Sequence, residues 1–253
     1  MPKLPAFFFL AVALHLASTA EVAADERDEI RMFMQGRYVF QRQCAVCHGK
    51  TGRGDGELSA GVKIKPRDFR KGVFKFRTTP LGKLPTDADL KRTILSGVSG
   101  SMMPAFTTLS ESDMKSVIIY IKAFSPRWRD PDLKAEPVEL PVTPDWFSDN
   151  EKREKHAKSG GEVFKLHCAS CHGERGKGDG PGSKGLVDVW GNPVVPEDLA
   201  SPHRSGPASS DLLRTIATGL DGTPMVGFLD ALGGEKLWQL VAFIETLGEE
   251  AAK

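Results

Sequence analysis

The 253-residue chain reads as an all-α protein in which one helical domain is used twice in tandem, the copies joined by a proline-rich linker. Three observations carry that reading. First, blocks of sequence return in unchanged order. Gly36-x-x-Val39-Phe40 recurs as Gly160-x-x-Val163-Phe164, and Gly52-Arg53-Gly54-Asp55-Gly56 as Gly176-Lys177-Gly178-Asp179-Gly180, both at an offset of 124. Ordered self-similarity of this kind means two copies of one fold. Second, apolar residues within each copy recur at helical spacing, between glycine-rich stretches that have no periodicity. Third, the segment between the copies holds Pro126, Pro131, Pro137, Pro141 and Pro144 among many charges, the composition of a semi-rigid extended connector.

Residues 1–24 stand outside both copies. Lys3 precedes an apolar run from Leu4 to Ala17, followed by small residues at Ser18-Thr19-Ala20 and Val22-Ala23-Ala24. That is the layout of a secretory signal cleaved after Ala20 or Ala24. An uncleaved anchor is the second reading, because the run falls short of the roughly 20 apolar residues of a spanning helix. No later stretch is apolar enough to cross a bilayer.

The first copy occupies residues 25–125. Ile30, Met32, Phe33, Met34, Tyr38, Val39 and Phe40 predict a helix over Arg27 to Gln43. Thr86-x-x-Asp89 resembles a capping box and opens a second helix through Leu90 and Ile94. Ser110-Glu111-Ser112-Asp113 opens a third, through Val117, Ile118, Ile119, Tyr120, Ile121 and Phe124. The linker takes residues 126–150, with the boundary near Asp149, and the second copy residues 151–253. There Gly234 to Leu247 is the closing helix, with Leu237, Val241, Phe243 and Ile244 apolar. Pro66-Arg67-Asp68-Phe69 returns as Pro196-Glu197-Asp198-Leu199 at an offset of 130, so the second copy has six extra residues around Trp190-Gly191-Asn192-Pro193. Asp89 to Ile94 and Gly97 return as Asp211 to Ile216 and Gly219.

Each copy contains a five-residue chemical motif: Cys44-Ala45-Val46-Cys47-His48 and Cys168-Ala169-Ser170-Cys171-His172. C-x-x-C-H is the signature of covalent c-type haem attachment. Two thiols three positions apart lie on one short helical turn and reach the two vinyl groups of a porphyrin, while the histidine offers an imidazole to the iron. A zinc site wants its second C-x-x-C roughly 15–20 residues after the first, whereas these pairs start 124 apart. A redox dithiol explains neither the adjacent histidine nor the repetition. The four cysteines of the chain are all consumed by the two motifs. The expectation is two covalently bound haem c groups on Cys44, Cys47, Cys168 and Cys171, with His48 and His172 as iron ligands.

The opposite axial position decides between electron carrier and catalyst. Aligning Gly97 to Phe106 on Gly219 to Phe228 places Met103 on Met225, whereas Met102 falls on Pro224. The second copy has no other methionine. Met103 and Met225 are therefore the expected sixth ligands, 55 and 53 residues after their histidines. Methionine is also a common core filler; the register between the copies is what favours ligation. His203 is the alternative to Met225.

The net charge of +1 conceals an asymmetry. Asp25 to Leu133 holds 20 Lys and Arg against 13 Asp and Glu, and Lys134 to Lys253 holds 13 against 19. Opposite charge on the two halves bears on docking rather than fold. The run Lys63, Lys65, Arg67, Arg70, Lys71, Lys75, Arg77 suits an acidic redox partner or the haem propionates. Nothing resembles a nucleic-acid reader, and no small-molecule substrate is implied.

Taken together, these motifs resemble the class I cytochromes c, arranged in tandem. The resemblance covers about Ile30 to Phe124 and Lys158 to Leu247, and rests on the C-x-x-C-H motif, the G-x-G-D-G loop, the Pro-Arg-Asp-Phe segment, the Met-Pro-x-Phe region and the closing amphipathic helix. It implies cytochrome c-type helical domains whose first and last helices cross, with Gly36 and Phe40 meeting Tyr120 and Gly160 and Phe164 meeting Phe243. It implies that each proximal imidazole bonds a backbone carbonyl near Pro66 or Pro196, and that Arg67 and Arg77 partner the propionates. Val226 stands where the family usually has proline, and Glu197 stands at the place of Arg67. The implied function is that of a periplasmic di-haem electron carrier between respiratory redox proteins, with no enzymatic activity. Two alternatives come with it: a di-haem peroxidase-type enzyme, or a fixed electron-transfer subunit of a membrane or periplasmic oxidoreductase complex. The stretch Phe74-Lys75-Phe76-Arg77 through Leu84-Pro85-Thr86 resembles cytochromes that accompany respiratory oxidoreductase complexes.

Overall fold

The structure, a computed structural model, describes residues 6–62, 64–201 and 208–251, with side chains from Asp25 onward except those of 249–251. Lys63 and His203 lie outside the described residues. Eight α-helices carry the described chain: α1 (Ala6–Gln43), α2 (Ala45–His48), α3 (Asp87–Ser96), α4 (Glu111–Ala123), α5 (Asn150–His167), α6 (Ala169–His172), α7 (Ser209–Thr218) and α8 (Leu229–Ala251). No strand occurs among the described residues; one isolated bridge pairs Val187 with Pro193. The all-α fold and the tandem architecture are as expected. α1 is longer than its periodicity predicts, because it begins at Ala6 rather than Arg27. No described helix is long and apolar enough to cross a membrane.

Each unit is built on one helix crossing, α1 on α4 and α5 on α8. Glycine makes the crossing possible. A Cβ on Gly36 would run into the backbone of Ser116, and one on Gly160 into the backbone of Gln239. With no side chain at those positions the helices approach closely enough for Phe40 to reach Tyr120, ring centroids 5.4 Å apart, and Phe164 to reach Phe243 at 5.2 Å. Phe40, Met114 and Val117 are buried at the first crossing and Phe164, Leu237 and Val241 at the second. Each such side chain contributes about 1.5–3 kcal/mol of burial.

Local signals set the helix ends. The Thr86 side chain accepts a hydrogen bond from Asp89 N (3.1 Å) and the Asp89 carboxylate accepts one from Thr86 N (2.9 Å), a complete capping box. Ser110 caps α4 by accepting from Asp113 N, and Asp149 caps α5 by accepting from Lys152 N. α8 consists of two helical pieces that meet at Gly233, whose φ of 71° only glycine adopts readily.

The segment between the units is extended only over 134–144; single 3-10 turns at Pro126–Arg129, Pro131–Leu133 and Asp145–Ser148 flank that stretch, and it is pinned at both ends. Val138 N donates to Thr78 O and Leu84 N to Leu133 O on unit one. On unit two, Trp238 Nε1 donates to Pro141 O, and Leu140, Trp146 and Phe147 pack against the core. His156 is stacked on Trp146 (4.0 Å, 5°) and 3.2 Å from Glu235.

The units also touch directly. Arg77 is wholly buried between them and donates to Thr79 O of its own unit and Thr218 O of the other, while Thr218 Oγ1 donates to Arg77 O. Beside it, α3 and α7 contribute the same pair of residues from each unit. Asp89 pairs with Arg92 at 2.7 Å, Asp211 pairs with Arg214 at 3.0 Å, and Arg92 approaches Asp211 at 3.7 Å.

Candidate haem sites

In both units the first helix ends where the cysteine motif begins. Cys44 (φ −116°, ψ −34°) and Cys168 (φ −119°, ψ −35°) take the same backbone conformation and start the four-residue helices α2 and α6. The turns are held alike: His48 N donates to Cys44 O and His172 N to Cys168 O, each at 2.9 Å. Gly49 and Gly173 close them at φ 75° and 76°. Both thiols and the imidazole of each motif therefore leave one short turn in fixed relative order. No disulfide joins any of the four cysteines. Burial, reinforced by the neighbouring Cys47, pushes the Cys44 thiol up to about 12, and burial with Cys171 pushes Cys168 up to about 11.

The histidines are oriented from behind. His48 Nδ1 lies 3.1 Å from Arg67 O and His172 Nδ1 3.3 Å from Glu197 O. A carbonyl only accepts, so Nδ1 carries the proton and Nε2 keeps its lone pair for a ligand. The acceptors sit one residue beyond Pro66 and Pro196. The proline carbonyls themselves face Gly54 and Gly178, where a Cβ would displace them. In unit one the His48 ring also stacks on Phe69 (4.5 Å, 20°); Leu199 takes the place of Phe69 in unit two. Burial lowers the His48 pKa, the hydrogen bond to the Arg67 carbonyl opposes that, and the Arg67 charge adds to it. The neutral imidazole that an iron ligand requires is the favoured form.

The methionine loops are equivalent in both units. Val98 N donates to Met103 O (3.1 Å) and Leu220 N to Met225 O (2.9 Å). Met103 N donates to Ser101 Oγ and Met225 N to Thr223 Oγ1. Gly97 and Gly219, at φ 67° and 72°, turn the chain into these loops against the backbone at Met103 and Met225. Met103 packs on the core of unit one, whereas Met102 is 72% exposed. The neighbouring methionines are thus placed differently.

Arg67 and Arg77, both expected beside propionates, lie at the contact between units. The Arg67 guanidinium is 4.1 Å from the ring centroid of Trp190, which belongs to the six-residue insertion of unit two. Both Nη groups of Arg77 are bonded to carbonyls; its Nε, 3.9 Å from Asp221, has no hydrogen-bond partner. Sequence reasoning did not find Thr218 or the Asp89, Arg92, Asp211, Arg214 group. Their only signal was recurrence at the same offset, which identifies equivalence and not contact.

These features fit haem c. Each motif offers two unbridged thiols and an imidazole with one nitrogen already committed. Arg77 Nε and Trp190 Nε1 are buried donors without a hydrogen-bond partner, a chemistry compatible with the two carboxylates of a haem.

Comparison with known proteins agrees. Residues 31–121 match the family model described as cytochrome C oxidase, cbb3-type, subunit III, and residues 157–248 match the model described as cytochrome c. The chain is 26% identical over 224 residues to the Cbb3-type cytochrome c oxidase subunit FixP of Azorhizobium caulinodans, covering 85% of this chain and 59% of that one, so it spans about three-fifths of that relative's length. It is also similar to a chain of the Kuenenia stuttgartiensis reducing HAO-like protein complex, with a TM-score of 0.75, 37% identity, and coverage of 84% of this chain and 95% of that one. The chain belongs to the cytochrome c family: it is two cytochrome c domains in tandem, an electron-transfer protein with two covalently bound haem c groups.

Proposed function

We propose that the protein is a periplasmic di-haem electron carrier in which Cys44, Cys47 and Cys168, Cys171 hold the porphyrins and His48–Met103 and His172–Met225 ligate the irons. The observation that carries this reading is the duplication of one complete site: the same cysteine turn, the same Nδ1-to-carbonyl contact and the same methionine loop in both units. When bound, haem supplies one-electron chemistry; the chain anchors it, orients the imidazole, excludes water and sets its potential. Thioether ligation favours a higher potential than a second histidine does. No residue is assigned a catalytic step.

The opposite charge of the two halves supports docking to redox proteins of different character, an acidic one at unit one and a basic one at unit two. A fixed place in an oxidoreductase complex is the more specific form of this reading. It is supported by the two relatives, whose names are those of an oxidase subunit and a protein complex. The secretory layout of residues 1–24 supports export. A redox titration followed optically tests the proposal. Two one-electron steps, with the absorption of methionine-ligated ferric haem in both, are expected. Ready binding of carbon monoxide by the native reduced protein would indicate an open position and a peroxidase-type function instead.

A further inference from the structure

The insertion that distinguishes unit two from unit one is folded against the other unit. Asp188 Oδ1 accepts hydrogen bonds from Trp190 N and Asn192 N (both 2.9 Å), closing a tight turn with Trp190 in its middle. The indole then meets unit one: Arg67 lies over its ring at 4.1 Å and Lys71 at 5.6 Å, and Lys71 Nζ donates to Val189 O. Its far edge rests on Gly222, in the loop that presents Met225, where an added Cβ would stand 2.9 Å from the ring. One side chain thus fills the space between the Arg67 loop, whose carbonyl holds His48, and the methionine loop of unit two.

Three groups at this contact call for an anion. Trp190 Nε1 and Arg77 Nε are buried donors with no hydrogen-bond partner, Arg77 Nε standing 3.9 Å from the Asp221 carboxylate. Arg67 forms no hydrogen bond or ion pair through its guanidinium with any described residue; the Asp188, Asp221 and Asp68 carboxylates act on it only from a greater distance. A buried donor without a hydrogen-bond partner keeps the cost of its lost hydration uncompensated. The Asp188 and Asp221 carboxylates lie nearby but take none of these hydrogen bonds, so the two donors and the Arg67 guanidinium remain open to a further carboxylate. A haem group carries two carboxylates.

We propose that Trp190, although it belongs to unit two, is a positioning residue for the haem of unit one. It stacks on Arg67 and joins Arg67 and Arg77 as a donor toward that haem's propionates. This rests on the di-haem reading above. The stacked face holds the guanidinium in place. A desolvated cation near the haem edge favours the reduced, less positive state, so the potential of the first haem depends on the docking of the second unit.

The test is a redox titration of the holoprotein with Trp190→Phe, which keeps the ring and removes the N–H, and with Trp190→Ala, which also removes the face under Arg67. The step belonging to unit one is identified separately as the one that Met103→His lowers. Trp190→Phe is expected to lower the unit-one step and Trp190→Ala to lower it further, with the unit-two step unmoved. The proposal is overturned if the unit-one step stays in place in both variants, or if the unit-two step moves as much. Should Met103→His move neither step, the ligand assignment fails on its own, and the proposal then stands or falls on whether exactly one of the two steps responds to Trp190.

Discussion

Arg92 Nε of α3 stands 3.7 Å from the Asp211 carboxylate of α7, across the boundary between the two cytochrome c domains. Each residue is also committed within its own unit, Arg92 to Asp89 and Asp211 to Arg214. Because Asp89 and Asp211 are equivalent positions in the repeat, as are Arg92 and Arg214, the contact places the same ion pair of both units side by side. Charges of both signs alternate there, so like charges are separated while opposite ones meet.

Asp89 is the most constrained member of this group. It is wholly buried and accepts from Thr78 N, Thr78 Oγ1, Thr86 N and Arg92. Asp89→Ala removes the charge that Arg92 faces and leaves three other donors unpaired, and is expected to destabilise unit one by about 3–5 kcal/mol in denaturant unfolding. Asp211→Asn, at a more exposed pair, is expected to cost about 0–1 kcal/mol. Burial alone would raise the Asp89 pKa, but the bonds from Thr78, Thr86 and Arg92 hold it below the usual value. Its contribution is therefore fully present above about pH 4, the unfolded carboxylate range, and is lost as pH falls through the depressed folded value. Acid unfolding of Asp89→Asn should show a weaker pH dependence than that of the wild type.

The helix crossing of unit two offers a comparison between adjacent residues. Gly160→Ala forces a methyl into the Gln239 backbone, whereas the same change at Gly161 meets only the edge of the Phe243 ring, 3.2 Å away. Thermal unfolding is expected to show a loss of about 1–3 kcal/mol for Gly160→Ala. Gly161→Ala is expected to be near neutral, since helix propensity favours alanine by about 1 kcal/mol.

Met225→His is expected to lower the potential of one haem and abolish half of the methionine-to-iron absorption of the oxidised protein. Unchanged spectra would show that Met225 is not a ligand. Because its register with Met103 is the motivating observation, Met103→His should act in the same way on the other haem.

Covalent haem content provides a direct count. Replacing Cys44 and Cys47 together by alanine should reduce the haem retained after acid-acetone extraction from two groups per chain to one. Cys168 and Cys171 replaced together should do the same. Retention of two groups in either double variant would contradict the attachment sites.

Much of this molecule was legible in its linear order, because its strongest signals are local. The spacing of cysteines and histidine within one helical turn, the caps at Thr86 and Ser110, and the duplication that selects Met103 over Met102 all depend on residues close in sequence or equivalent by repeat. The crossing at Gly36 and Gly160 was implied by the family resemblance rather than by spacing. What tertiary structure decided is the relation between the copies. A periodic pattern says which face of a helix is buried and nothing about what lies opposite, so Arg77 at Thr218, Arg92 at Asp211 and Trp190 on Arg67 could not be read from spacing. Those contacts join residues more than a hundred positions apart, and their formation depends on how two separately folded cores dock.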